Sequence, residues 1–330
     1  MKNNSVKKKI FFVLLMLLGI SLVAFGSTFI YVKYNNYNRV EASFHIVTSC
    51  NPVYIATLNI CDDVEGVTVT NLSQPTTGCL HEYQLTTADM KVLSTADVLI
   101  INGGGMEGYL DDVMIAYPNL RIIDSSCGIS EDMLIKEDKE HEHESEVMEE
   151  EEHEHKHEHE LGGVNSHTWM SVSCYCAQAD YIASELALID SVHENFYLTN
   201  SMAYCDKIIS ELSAKIDEAK DMYEGQSAVI LHEACEYVTY DLGVEVAGCM
   251  DLDEERQVSA GEVSELVDEM KEHGTTLIFA EEDYGTDMSK LLSKETGAEI
   301  IYIKTMIRGN YEKDSYIDIM KENYGISKNN

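Results

Sequence analysis

Positive charge is scarce in this chain. Its 23 Lys and Arg stand against 59 Asp and Glu, a formal net charge of −36. That deficit excludes nucleic acid and anionic membrane surfaces as natural partners, because like charges repel. A phosphate loop is missing too. Gly103-Gly104-Gly105 follows an apolar run, but it lacks G-x-G-x-x-G spacing and no Gly-Lys-Ser/Thr comes after it. The triplet reads as a tight strand-to-helix turn. The nine cysteines form no zinc-knuckle pattern, and Cys174 and Cys176, two apart, do not face each other on a helix. An exported chain with an odd number of cysteines leaves at least one thiol outside any disulfide. No cysteine precedes Cys50 to carry a lipid, and no Ala-x-Ala-like cleavage site stands near the N-terminus.

What the N-terminus does have is an address. Lys2, Lys7, Lys8 and Lys9 precede the uncharged apolar run 10–32, 23 residues long. That is enough to cross a bilayer as a helix, and the flanking lysines keep the short end in the cytoplasm. The expectation is an uncleaved signal anchor: residues 1–41 supply a cytoplasmic tail, the anchor and a tether, and everything beyond lies outside the cell membrane. A cleaved signal, giving a secreted or periplasmic protein, is the alternative.

Beyond the tether, strand and helix patterns alternate. Residues 44–49, 67–72, 98–102 and 120–123 read as strands, with helices starting near Val53 and after a Thr86 or Thr87 cap. A second series begins after Gly225, with strands at 228–231, 244–247, 276–280 and 300–303. Helices at 259–272, 288–296 and 315–323 alternate with them, and Ser259 and Glu262 have capping-box spacing. Between the series, Leu198, Met202, Cys205, Ile209, Leu212 and Ile216 step by four and three, the apolar stripe of one helix over about 193–223. The pattern predicts an α/β protein with two doubly wound lobes joined by one long rigid helix. The expected domains are 42–192, a linking helix over 193–224, and 225–330.

The first lobe is interrupted by a tract that cannot pack a core. Within the run 137–160, His141, His143, His153, His155, His157 and His159 alternate with acids, holding six of the twelve histidines. Imidazole suits zinc and carboxylates can assist it, so the tract reads as a flexible metal collector rather than an incidental acidic loop.

Ligands of doubly wound lobes gather beyond the carboxyl ends of strands. His81 lies in a loop after a strand, His167 just after the collector, and His232 at the end of the 228–231 strand. Glu281, Glu282 and Asp283 end the strand 276–280. These positions converge on one cleft between the lobes, where three imidazoles and a carboxylate could share a cation.

Here a resemblance emerges. His81-Glu82-Tyr83-Gln84-Leu85-Thr86-x-x-Asp89, Asn165-Ser166-His167-Thr168-Trp169-Met170 and His232-Glu233-Ala234 with Tyr237 resemble three ligand motifs of one family. It is that of the zinc and manganese solute-binding proteins of bacterial ABC importers (ZnuA/TroA-like), and the resemblance spans about 43–323. It implies Zn²⁺ held between two lobes by His81, His167 and His232, and delivered to a membrane permease and its ATPase. It also implies that the His-rich loop marks zinc importers, and that manganese carriers commonly have Glu where His232 stands. Two departures matter. Relatives often add an Asp ten residues before an Asp-Ser-Tyr, which counted back from Asp314 is Lys304, and an ammonium cannot ligate. Some zinc members use a Glu before the first histidine, which is Leu80 here. Glu281 or Glu282 is the candidate fourth ligand. Two other readings stand beside this one: a surface zinc scavenger or sensor without a permease, and a zinc hydrolase. The hydrolase reading fails at Glu236, where an H-E-x-x-H motif starting at His232 needs its second histidine.

Overall fold

A computed structural model describes residues 16, 19–21, 26–27, 44–73, 83–136, 163–252, 258–282 and 284–325. The chain divides into two compact units, 1–44 with 64–68, and 45–63 with 69–330. In the first unit the described residues before 28 are helical. No helix among the described residues is long and apolar enough to cross a membrane. The expected anchor over 10–32 lies almost wholly outside them, and the collector loop over 137–160, with His141, His143, His153, His155, His157 and His159, lies entirely outside.

The described residues from Phe44 onward carry two parallel four-stranded sheets. β1 (Phe44–Thr48), α1 (Asn51–Ile60), β2 (Val67–Asn71), α2 (Thr87–Leu93), β3 (Val98–Ile101), α3 (Leu110–Ala116) and β4 (Arg121–Asp124) make the first, in order β2-β1-β3-β4. α4 (Val172–Ile189) and α5 (Glu194–Tyr223) follow. β5 (Ser227–Ile230), α6 (Cys235–Asp241), β6 (Glu245–Cys249), α7 (Ala260–Glu272), β7 (Leu277–Glu281), α8 (Thr286–Thr296), β8 (Glu299–Ile303) and α9 (Ser315–Tyr324) make the second lobe, in order β6-β5-β7-β8. Each lobe is an α/β layer structure, as the alternation predicts.

The reasons are local. β3 is buried along its whole length, which suits the unbroken run Val98-Leu99-Ile100-Ile101 of a central parallel strand. It pairs with β1 and β4, and Leu99 and Ile101 pack with Val47, Leu93 and Val113. In the second lobe Val229 and Ile278 pack with Leu266, Met270 and Leu292. Burying each such side chain contributes about 1.5–3 kcal/mol. Thr86 caps α2 by accepting from the Asp89 N–H while the Asp89 carboxylate accepts from the Thr86 N–H, and Ser259 and Glu262 do the same for α7.

The long helix forms where expected, and Cys205 and Leu212 of the expected stripe are buried, but the rest of its buried face differs. Leu198, Met202 and Ile209 are exposed. The buried residues are Tyr197, Ser201, Tyr204, Cys205, Ile208, Leu212, Ala219 and Tyr223. The face is rotated by about one residue because tyrosines fill it, and tyrosine carries too weak an apolar signal to outvote Leu, Met and Ile. Three helices, α3, α4 and α6, have no counterpart in the sequence reading. α4 buries one face through small and polar residues such as Cys174, Gln178, Ala179 and Ala183, which carry little apolar signal, and exposes Leu188 on the other.

Candidate functional site

The turn that presents His167 is built from several directions. An isolated antiparallel bridge joins Lys136 to Val164, so both ends of the 137–162 segment leave the fold at one point. The Asn165 N–H then donates to Ile135 O at 3.0 Å, and one turn of 3-10 helix, Thr168–Met170, follows. Trp169 is wholly buried. Its indole N–H donates to Thr305 O at 2.9 Å, and its own carbonyl accepts from Tyr316 Oη at 3.0 Å. Beneath the turn, Gly103 has φ +86° and a Cβ there would sit 1.7 Å from Asp124 Oδ1, while a Cβ on Gly104, φ +63°, would lie 3.5 Å from Ser166 Cα. The triple glycine is thus the tight turn its sequence suggests, and it lets β3 end against the His167 segment. Asn102, the residue after β3, donates to Ser166 O at 2.8 Å.

His167 is 1% exposed and His232 7% exposed. Their ring centroids lie 5.0 Å apart at 73°. His232 follows Leu231, whose N–H still donates to Phe279 O, and its carbonyl accepts from the Cys235 N–H as the chain turns into α6. Its Nδ1 is 3.3 Å from Glu281 Oε2. Glu281 is 8% exposed and its Oε1 accepts from Thr305 Oγ1 at 2.5 Å. Glu282, the other expected carboxylate, is exposed. The structure therefore brings His167, His232 and Glu281 together and leaves Glu282 at the surface. His81 and Asp283 lie outside the described residues. Among the described residues no three His, Cys, Asp or Glu side chains are grouped so as to hold an ion by themselves.

Asn165 sets the chemistry of His167. Asn165 Nδ2 donates to Glu233 O at 2.9 Å and to Glu236 Oε2 at 2.7 Å, which fixes the amide's orientation. Its Oδ1 accepts from the His167 backbone N–H at 3.0 Å and faces His167 Nδ1 at 3.1 Å. An amide oxygen only accepts, so Nδ1 carries the hydrogen and Nε2 keeps the lone pair that a metal needs. Tyr237 Oη closes the group by donating to Asn165 O at 2.9 Å. The sequence reading placed Asn165 and Tyr237 in motifs but gave neither a role.

Lys304, where a fourth ligand was sought, pairs instead with Glu322, and Asp314 pairs with Lys207 at 2.7 Å. Thr305, its neighbour, supports Glu281. A cavity of about 490 Å³ opens beside Glu281, lined among others by Glu282, Thr305, Lys304, Arg308, Glu312 and Asp318. Its carboxylates outnumber its cations, which favours entry of positive ions.

The family model described as zinc-uptake complex component A, periplasmic, matches residues 46–326. The chain belongs to this family. Among its relatives is the high-affinity zinc uptake system protein ZnuA of Bacillus subtilis, 26% identical over 290 residues and 86% of either chain. The manganese-binding lipoprotein MntA of Halalkalibacterium halodurans is 24% identical over 248 residues, 74% of either chain. The binding protein FpvC of Pseudomonas aeruginosa, solved with Mn²⁺, superimposes with a TM-score of 0.69 at 21% identity, covering 86% of this chain and 96% of that one. The expected fold and family are both met. As a ZnuA-family chain this is a metal-binding substrate-binding protein of an ABC transporter and not an enzyme. Its relatives divide over the metal.

Proposed function

We propose that this ZnuA-family chain is the zinc-capturing component of an ABC importer, held outside the cell membrane by its N-terminal segment and unloading to a permease driven by an ATPase. Zn²⁺ is cargo, bound by His81, His167 and His232 with Glu281 as fourth ligand. The lobes 42–192 and 225–330, joined by the helix 193–224, close on it.

The observation that carries this reading is the buried pair His167 and His232, ring centroids 5.0 Å apart, with Glu281 Oε2 3.3 Å from His232 Nδ1. Imidazole nitrogens and a carboxylate are together a donor set that suits a divalent cation such as zinc. Asn165 supports it further by turning the Nε2 lone pair of His167 outward from its own amide. Nitrogen-rich donor sets favour zinc over manganese, which prefers oxygen. His81 enters from its motif alone. The collector histidines, His141 to His159, serve as an accessory store. The bridge between Lys136 and Val164 supports this, since it pairs the chain on either side of the tract one residue before Asn165.

The test is competitive titration of the full chain in mild detergent with Zn²⁺ and Mn²⁺. One zinc should bind tightly and outcompete manganese. His167→Ala or His232→Ala should each weaken zinc by orders of magnitude, and Glu281→Gln by less. Tight zinc surviving the double histidine variant, or manganese binding as tightly as zinc, overturns the proposal.

A further inference from the structure

α4 and α5 are consecutive and joined by only the four residues 190–193, so they form an antiparallel helical hairpin. On such a hairpin, residues equally far from the connection face each other. Cys176 lies 13 residues before the end of α4 at Ile189, and Cys205 lies 11 residues after the start of α5 at Glu194. At the helical rise these are heights of roughly 20 and 17 Å. The contacts agree. Cys205 Sγ is 3.7 Å from the Cys176 carbonyl oxygen, and one helical turn away Ser201 Oγ donates to Asp180 Oδ1 at 2.8 Å.

We propose that Cys176 and Cys205 form a redox site: outside the cell, a disulfide oxidant joins them, and the bond staples α5 to α4. The location rests on the extracytoplasmic reading above, whereas the pairing rests on the hairpin geometry alone. Cys176 is partly exposed and Cys205 buried, so the first is the sulfur an oxidant reaches. In the balanced step the Cys176 thiolate attacks one sulfur of a small-molecule disulfide and releases one reduced thiol. Cys205 then attacks the Cys176 sulfur of the mixed disulfide. Its proton passes by way of Asp180 Oδ1, 3.9 Å from Cys205 Sγ, and solvent to the departing thiolate, which leaves as the second small thiol. Two protein thiols are oxidised and one disulfide is reduced to two thiols.

In the folded protein the step is slow. The hydrogen bond with Cys205, then burial and the Asp180 charge, hold the Cys176 thiol well above its ordinary value, so little thiolate is present at neutral pH. Once formed, the bond is protected by the same burial. It closes the segment that carries the chain from α4 into the long helix, and so restricts the unfolded chain.

The experiment treats the full chain with oxidised glutathione for hours at pH 8 and maps its peptides by mass spectrometry. A 176–205 crosslinked peptide should appear, with loss of the two thiol hydrogens and of two titratable thiols. The oxidised chain should melt at a higher temperature than the reduced one. Cys176→Ser and Cys205→Ser should each abolish the crosslink and the rise in melting temperature. Cys127→Ser, at an exposed position off this hairpin, should abolish neither. Two free thiols after treatment, glutathione retained on Cys176, or a bond from either cysteine to a third overturns the pairing. Pairing in the test tube but free thiols in chain isolated from intact cells without reductant overturns the location. Zinc titration of the same samples reports separately on the metal reading.

Discussion

Asn165 holds His167 by two contacts and the start of α6 by two more, so it links the two histidine segments through one amide. Asn165→Ala should therefore lower zinc affinity by about 10–100-fold, the usual cost of losing a group that orients a ligating histidine. Competitive titration checks it, and unchanged affinity would show that His167 is oriented by other contacts. Glu107 is a second residue whose role no motif announces. Its carboxylate accepts from Ser49 Oγ at 2.6 Å and from the N–H groups of Asn102 and Gly103 at 2.8 and 3.1 Å. Burial nevertheless pushes the Glu107 carboxyl from 4.5 up to about 7. The folded chain thus keeps a proton that the unfolded chain gives up. Its contribution to stability is whole below about 4.5 and is lost as pH rises through about 7. Glu107→Gln should flatten that decline, worth on the order of 2–3 kcal/mol between pH 5 and 8, in urea unfolding. An unchanged slope would assign the pH dependence elsewhere. At this scale His167, His232 and Glu281 were legible because each ends a strand or a marked motif. Asn165, Thr305 and Glu107 were not, because hydrogen-bond direction and burial depend on segments far apart in sequence.

The long helix shows what periodicity delivers at the level of an element. Its extent was legible from spacing, since α5 covers Glu194–Tyr223 against an expected 193–223. Its face was not, because an apolar count treats Leu198 and Ile209 as core and Tyr204 as neutral. The tyrosines win since Tyr204 Oη meets Tyr175 Oη at 3.4 Å, and the Tyr175 ring stacks on Tyr316 at 3.6 Å. The hydroxyls of Tyr204 and Tyr197 are satisfied inside the fold, by Tyr175 and by Asp190, so those rings are buried at little polar cost. Ile208→Ala should destabilise by about 2–5 kcal/mol, as expected of a buried site. Ile209→Ala, one residue on and exposed, should stay within about 0.5 kcal/mol. Denaturant midpoints of the two variants decide between the faces, and equal costs would contradict the assignment. Strands were easier than helices α3, α4 and α6 because β-branched runs bounded by Gly or polar turns stand out, whereas the seven residues of α3 and of α6 are too few to show a helical period.

At the scale of the whole molecule, two parallel-sheet lobes put their strand ends around one pair of histidines, and the residues on either side of the acidic tract, Lys136 and Val164, pair with each other. Deleting 137–160 should leave one tight zinc site nearly unchanged while removing several weak ones, with capture slowed most at low salt where acidic attraction is unscreened. Titration calorimetry and stopped-flow uptake read both effects, and loss of the tight site on deletion would place its ligands in the tract. The central claim is a zinc ion held by His81, His167, His232 and Glu281. X-ray absorption at the zinc edge tests it most directly, on the chain lacking 137–160 and loaded with one equivalent. The account expects four light ligands at about 2.0–2.1 Å with the multiple-scattering signature of three imidazoles, falling to two in His167→Ala. A sulfur shell near 2.3 Å, or a spectrum unchanged by His167→Ala, would contradict it.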